Sequence, residues 1–242
     1  MPDLILIGPQ GAGKGTQAEL IAGRYGLGRF APGAYYRAQV EAGTDLGLQV
    51  AGYLSKGEIV PTELAAQVLK ARLGEPDAAG GLVYDGYPRV RDQAELLDRL
   101  LTDAGRGVTL ALHLDISEET ALVRLAGRLT CANLACGANF HLTFLPPLVA
   151  GRCDRCGSAV EKRADDEPDV IRRRLEIFRQ ETEPLLETYR TRGVLRVIDG
   201  EPPVQQVFLA IRNVVESATL GAGAREPRKR SVVPIDFPPS AA

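Results

Sequence analysis

The chain has 242 residues, 45% hydrophobic and 25% charged, with a formal net charge of −2. That length gives one or two domains and a sizeable core. The near balance of charge supplies no whole-molecule field for nucleic acid or membrane, and no apolar run approaches the roughly 18 residues of a bilayer span.

The first residues, MPDLILIG, place an acid at Asp3 and no basic stretch ahead of the apolar run, so they predict a folded strand rather than a secretory leader. Leu4-Ile5-Leu6-Ile7 is continuously apolar and stops at Gly8, the pattern of a strand buried on both faces of a parallel sheet. Gly8-Pro9-Gln10-Gly11-Ala12-Gly13-Lys14-Gly15-Thr16 follows and opens a helix. This is the setting of a phosphate-binding loop. Its glycines let N–H groups point inward, the helix terminus adds partial positive charge, and Lys14 can follow the transferring phosphates. Gly15 stands where such loops usually carry a magnesium-binding hydroxyl. Magnesium is therefore expected to be held through water, with Asp85 as the orienting carboxylate.

A helix over Gln17–Tyr25 and a weaker strand over Leu27–Phe30 come next. Residues 34–60 hold two short helical patterns with no strand between them, and read as an insertion. Helix Glu63–Leu73, strand Gly81–Tyr84, helix Gln93–Leu101, strand Val108–Leu114 and helix Glu118–Arg128 restore the alternation. Residues 129–166 interrupt it again. Helix Asp169–Arg192, which Pro184 should kink or break, strand Val194–Ile198 and helix Val204–Ser217 complete it. Strands alternating with helices predict an α/β fold of βαβ units with right-handed crossovers. Gly221–Ala242 has no periodicity and reads as a disordered tail, its REPRKR cluster solvated.

All four cysteines, Cys131, Cys136, Cys153 and Cys156, lie in the second insertion. Clustered cysteines in a reducing compartment are metal ligands more often than disulfides. The spacing C-x4-C-x16-C-x2-C can close a tetrahedral structural zinc site, with His141 as a fallback ligand. Leu142, Phe144 and Leu145 offer apolar side chains to pack around it. Neither His113 nor His141 belongs to a Ser-His-Asp or Cys-His constellation, and both are expected to be structural. Arginines collect instead at strand ends and insertion borders: Arg37, Arg89, Arg124 and Arg128 at i, i+4 on one predicted helix, Arg163, and Arg172 to Arg174. Together with the loop they suggest a site for two polyanions, as phosphoryl transfer requires. A P-loop ATPase gripping nucleic acid through a zinc ribbon is the alternative from another class; the charge balance and the lack of basic–aromatic interleaving oppose it.

On these residues the chain resembles the adenylate kinase family. The carriers are GPQGAGKGTQ (8–17), the Arg37 segment, YDGYPR (84–89) with Gln93, the Arg124/Arg128 helix, KRADD (162–166) with Arg174, and IDGEPP (198–203). They stand in the family's order from residue 1 to about residue 217. The resemblance implies a P-loop core of five parallel strands flanked by helices (1–30, 61–128 and 167–220), a nucleoside monophosphate-binding insertion (31–60), a zinc-ribbon lid (129–166) and a tail (221–242). It implies a cytoplasmic monomer catalysing Mg·ATP + AMP ⇌ 2 ADP, with ATP, AMP and ADP as partners and neither nucleic acid nor membrane. The runner-up activity is a kinase for another nucleoside monophosphate or one with a GTP donor.

Residue roles follow from the same resemblance. Gly11, Ala12, Gly13, Lys14, Gly15 and Thr16 would cradle the ATP phosphates. Arg124 would stack on its adenine, with Asn139, Phe140 and the Pro202 carbonyl nearby. Pro32, Arg37, Glu58, Ile59, Val60, Gly86, Tyr87, Pro88, Arg89 and Gln93 would form the AMP site, the two arginines on its phosphate and Gln93 on its base. Lys14, Arg89, Arg128, Arg163 and Arg174 would surround the transferring group, with Asp85 on the magnesium waters; Arg163 and Arg174 also border AMP. Asp165 and Asp166 would help lock the lid. The family's S/T-T/S-G-D-x-L-R reads here Ala31-Pro32-Gly33-Ala34-Tyr35-Tyr36-Arg37, so Pro32 brings neither hydroxyl nor N–H to the AMP base.

Overall fold

A computed structural model of the chain describes residues 2–134, 136–163 and 166–220. The tail at 221–242 and Asp165 lie outside the described residues. In chain order the elements begin β1 (Asp3–Ile7), α1 (Lys14–Tyr25), β2 (Gly28–Phe30), α2 (Pro32–Glu41), α3 (Asp45–Lys56) and α4 (Thr62–Leu73). They continue with β3 (Leu82–Asp85), α5 (Arg91–Asp103), β4 (Val108–Asp115), α6 (Glu118–Ala126), β5 (Arg128–Cys131), β6 (Asn139–His141) and β7 (Val160–Glu161). The last are α7 (Pro168–Ile177), α8 (Leu185–Thr191), β8 (Leu195–Asp199) and α9 (Val204–Leu220).

Five strands form one parallel sheet in the order β2-β3-β1-β4-β8. Every residue of β1, the central strand, is buried. Alternation sends Leu4 and Leu6 to one face, with Ile21, Leu112, Leu125 and Ile211, and Ile5 and Ile7 to the other, with Leu69, Tyr84, Leu97 and Leu101. Because all five strands run the same way, the loops after β1, β3 and β4 emerge at one edge. Ligands of open α/β sheets bind outside that edge.

A buried acid fixes the opposite end of β1. Asp3 is fully buried and accepts from Arg106 Nε at 2.9 Å and Nη2 at 2.5 Å, Tyr84 Oη at 3.1 Å and the Leu82 amide at 3.2 Å. Arg106 also donates to the Ala78 carbonyl at 3.0 Å. Asp3 is thus the knot joining β1, β3 and the turn before β4.

The remaining strands form a small antiparallel sheet, β6-β5-β7, that carries the cysteines. Two expectations change here. The helix predicted over Glu118–Arg128 ends at Ala126. A Cβ on Gly127 would lie 2.4 Å from the His141 ring, so the chain turns there and Arg128 opens β5. Arg124 and Arg128 therefore do not share a helix face. Leu142, Phe144 and Leu145, expected to pack the ribbon, are 57%, 63% and 37% exposed; the packing comes from Cys131, Ala138, Phe140, Cys153 and Val160. Pro184 acts as expected: a π-helical turn at Phe178–Thr182 follows α7, and α8 starts after the proline.

Replacing Arg106 with Met would leave the Asp3 carboxylate buried and unpaired. The expected outcome is a loss of about 3–5 kcal/mol in chemical denaturation, with activity per folded molecule unchanged.

Candidate functional site

The loop between β1 and α1 depends on glycine at two points. Gly11 and Gly13 have φ of 85° and 84°, and a Cβ on Gly11 would meet the Ala121 carbonyl at 2.9 Å. Lys14 folds back over the loop, its Nζ donating to the Gly8 and Pro9 carbonyls at 2.6 and 2.7 Å. A Cβ on Gly15 would stand 3.2 Å from Asp85 Oδ2, so position 15 faces the carboxylate at the end of β3. Asp85 also lies 3.8 Å from Arg29 Nη2.

Past β3 the chain turns at Gly86. A Cβ there would lie 3.7 Å from Lys14 Cε and 3.5 Å from Arg89 Nη2, so the glycine keeps open the space between the two cations. Arg89 is fixed by neutral groups. Its Nε donates to Gly86 O at 2.9 Å, its amide to Gln93 Oε1 at 2.9 Å, and its carbonyl accepts from Thr182 Oγ1 at 2.9 Å. Arg37 Nη1 and Arg89 Nη2 both approach Gly33, at 3.5 and 4.0 Å from a Cβ built on it, which brings α2 to the Arg89 turn. Arg174, buried on α7, reaches Gln10 Oε1 and the Leu54 carbonyl, each at 3.5 Å, and lies 3.9 Å from Asp166. Arg128 pairs with Asp166 through two hydrogen bonds, one of them from Nε at 2.7 Å.

The electrostatics follow from this crowding. Burial lowers the Lys14 pKa to about 7; Asp85 pulls it up, and Arg89 and Arg128 push it further down. Burial likewise lowers the Arg89 pKa, and Arg174 and Arg163 act in the same sense. The cleft is thus strongly cationic. Gln10, Lys14, Arg89, Arg174 and Thr182 line a hollow of about 40 Å3 within it. A wider hollow of about 370 Å3 past β4 and β8 is lined by Asp115, Asp199 and Glu201, the wrong sign for phosphate.

The other sequence-predicted residues are placed as follows. Gln93 is buried, and its amide bridges the Arg89 N–H and the Val60 carbonyl (3.2 Å from Nε2). One N–H and one lone pair of that amide are left for a ligand. Glu58 and Ile59 lie in the turn after α3, beside Gly57, whose Cβ position is 2.9 Å from Arg174 Cγ. Tyr87 is buried and donates to the Gln93 carbonyl; Pro88 lines the narrow hollow. Arg124 donates to the Gly200 and Glu201 carbonyls at 2.9 Å each and reaches Gly11 O at 3.5 Å, tying the turn before Pro202 to the loop. Asn139 is exposed on β6 and contacts Thr130, whereas the Phe140 side chain is buried among the cysteines and not in the cleft. His113 is buried and stacks on Phe178; His141 Nδ1 accepts the Thr143 and Phe144 amides at 3.0 and 3.1 Å, so both histidines are structural. Thr182 joins the site without a motif to announce it, placed by its tertiary contact with the Arg89 carbonyl, while Gln10 and Tyr36 lie inside the motifs but take no role from them.

The four Sγ atoms of Cys131, Cys136, Cys153 and Cys156 lie within 4.8 Å of one another, with Cys131–Cys156 at 3.4 Å and Cys136–Cys153 at 3.7 Å. Zinc–sulfur bonds of about 2.3 Å in a tetrahedron require sulfur separations of about 3.8 Å, so the donor set fits that ion. All four thiols are free of disulfides. Arg155, between the last two cysteines, donates to Glu19 Oε1 on α1 at 2.5 Å and so ties the ribbon to the core.

A family model described as adenylate kinase matches residues 6–194. Curated relatives bearing that name include one from Geobacillus sp. (strain WCH70), 40% identical over 213 residues, covering 88% of this chain and 98% of that one. Another, from Lachnospira eligens, is 40% identical over 212 residues, covering 88% and 99%. One from Methanosarcina barkeri is 40% identical over 214 residues, covering 88% and 98%.

The lowered Lys14 pKa makes polyphosphate binding proton-linked. At about pH 8 the lysine of the protein alone is mostly neutral, and a triphosphate against it raises its pKa, so binding takes up a proton. Calorimetry in buffers of different ionisation enthalpy should show uptake approaching one proton per triphosphate near pH 8. The uptake should shrink towards about pH 6, where the lysine is already charged, and be missing in Lys14→Met.

Proposed function

The chain belongs to the adenylate kinase family, and on that premise we propose how its residues divide the work of the reversible transfer Mg·ATP + AMP ⇌ 2 ADP. The loop from Gly11 to Thr16 binds the ATP phosphates with its amides. Arg124, Asn139, the Phe140 backbone and the Pro202 carbonyl border the ATP base. Arg37 and Arg89 hold the AMP phosphate within a site completed by Pro32, Glu58, Ile59, Val60, Gly86, Tyr87, Pro88 and Gln93. An oxygen of that phosphate attacks the γ-phosphorus in line as the bond to the ADP leaving group breaks. Lys14, Arg128, Arg163 and Arg174 neutralise the charge spread over the equatorial oxygens, where phosphoryl transfer needs most help. Magnesium enters with ATP, and Asp85, beside Gly15, orients its waters.

The observation that carries this reading is the convergence of Lys14, Arg89, Arg128 and Arg174 on one cleft at the ends of β1 and β3, where burial and mutual repulsion lower the pKa values of Lys14 and Arg89. In the same reading residues 1–30, 61–128 and 167–220 are the core, 31–60 the AMP-binding insertion and 129–166 the lid. Zinc bound by the four cysteines would be structural, holding together a ribbon whose apolar cluster is too small to do so alone. The protein acts as a cytoplasmic monomer on free nucleotides, a setting that suits four reduced thiols. No described helix is long and apolar enough to cross a membrane. A second reading is another acceptor base, favoured by Pro32, whose side chain offers the acceptor no hydrogen bond, or a GTP donor.

A coupled assay with ATP and GTP donors across AMP, GMP, CMP and UMP separates the two. The expected result is the highest kcat/KM for ATP with AMP; a better acceptor or donor would replace the assignment. Lys14→Met should lower kcat on the order of 10³-fold or more, with a smaller change in nucleotide affinity. Metal analysis should find one zinc per chain. Its removal should lower the melting temperature far more than it alters the chemical step, and four freely titratable thiols in the native protein would refute the site.

A further inference from the structure

Helix α2 starts the insertion at Pro32, and its first two turns divide into two faces. Gly33 and Arg37, four apart, lie towards Arg89. Pro32 and Tyr36, also four apart, form the buried face. Helical side chains lean towards the N-terminus, so the Tyr36 phenol covers the turn that contains Pro32. Its ring belongs to the buried cluster of Phe30, Val60 and Tyr87 and is only 4% exposed. Val60 is the residue whose carbonyl is bonded to Gln93.

The Tyr36 hydroxyl is buried and has no hydrogen-bond partner. Its neighbours differ in this respect: Tyr84 donates to Asp3 and Tyr87 to the Gln93 carbonyl. Buried orphan hydroxyls are costly, and one retained in a binding cleft calls for a reason. Tyr25 and Tyr189 also carry unpartnered hydroxyls, but their charged neighbours are Glu216 with Arg24 and Asp98 with Arg192, away from the cleft. The charged neighbour of Tyr36 is Arg89. Burial raises the Tyr36 pKa to about 12 against the pull of that arginine, so the phenol keeps its proton and can both donate and accept.

We propose that Tyr36 is a specificity-determining residue of the acceptor site, its hydroxyl hydrogen-bonding the edge of the acceptor purine beside Gln93. This rests on the acceptor-site reading above. An apolar, aromatic-walled position with one polar atom suits a flat base; the anion belongs to the neighbouring face, where Arg37 and Arg89 meet. The phenol thereby supplies, from one turn later, the polar contact that Pro32 lacks.

The test is Tyr36→Phe, which removes one oxygen and leaves the ring. KM for AMP should rise two- to tenfold, the range for one neutral hydrogen bond. KM for ATP should be unchanged, and kcat/KM for CMP and UMP should fall less than for AMP. The melting temperature of the protein alone should be unchanged or higher, since an unpaired hydroxyl leaves the interior. An unchanged KM for AMP with a raised melting temperature would show a merely buried hydroxyl and overturn the inference. An equal loss with all acceptors would place the contact on phosphate or ribose and overturn it too. Arg37→Ala run alongside separates the levels: a raised KM for AMP in that variant keeps the acceptor site, whatever Tyr36→Phe does. No change in that variant would remove the acceptor site itself, and Tyr36 with it.

Discussion

Everything in this molecule depends on holding like charges together without cancelling them. Two cations 4 Å apart repel by about 4 kcal/mol at the effective dielectric of a protein surface, so a cluster of lysine and arginines cannot be left to mobile side chains. Here the anchors are largely uncharged. Lys14 is held by the Gly8 and Pro9 carbonyls, Arg89 by Gly86 O, Gln93 and Thr182, and Arg124 by the Gly200 and Glu201 carbonyls. A carbonyl fixes a guanidinium in direction but leaves its net charge intact. The charge is then available to a phosphoryl group, which is the preorganisation that electrostatic catalysis requires. The parallel sheet makes this possible, since it brings the loops after β1 and β3 to one edge on a rigid base.

Carboxylates enter where the cysteine-bearing sheet meets the core. Asp166 pairs with Arg128, the first residue of β5, and lies near Arg174. Glu19 on α1 receives Arg155 from the ribbon. Arg174 in turn reaches Leu54 in the first insertion. Both insertions are therefore tied to the core through arginines. The Arg155–Glu19 pair is exposed and individually modest, whereas the Asp166 side chain is buried and shared between Arg128 and Arg174.

The acceptor side shows how a local substitution is absorbed. Pro32 fits the first turn of α2, where its fixed φ is favourable and its missing N–H costs nothing to the helix. The loss is chemical rather than structural, because the helix forms but offers no hydroxyl at that point. Tyr36, on the same face, returns a hydroxyl to the neighbourhood. The two positions share a face because they stand four apart on one helix.

The sequence by itself determined what short-range physics controls. Continuous apolar runs marked the strands, because a strand covered on both faces has no polar side. The order of glycines and Lys14 after β1 marked the phosphate loop, and the cysteine spacing marked a candidate metal site, whose sulfurs do converge. Tertiary structure decided the rest. Arg128 left its predicted helix because the His141 ring occupies the space beside Gly127, a contact between residues 14 apart in sequence. Asp3 became a fully buried knot only once Arg106 reached it. Gln93, Thr182 and Tyr36 acquired their places from partners 33, 93 and about 50 residues away. Periodicity records which side of an element is buried. It carries no record of which distant atom will lie against that side, and the positions of the clustered cations depend on those distant atoms.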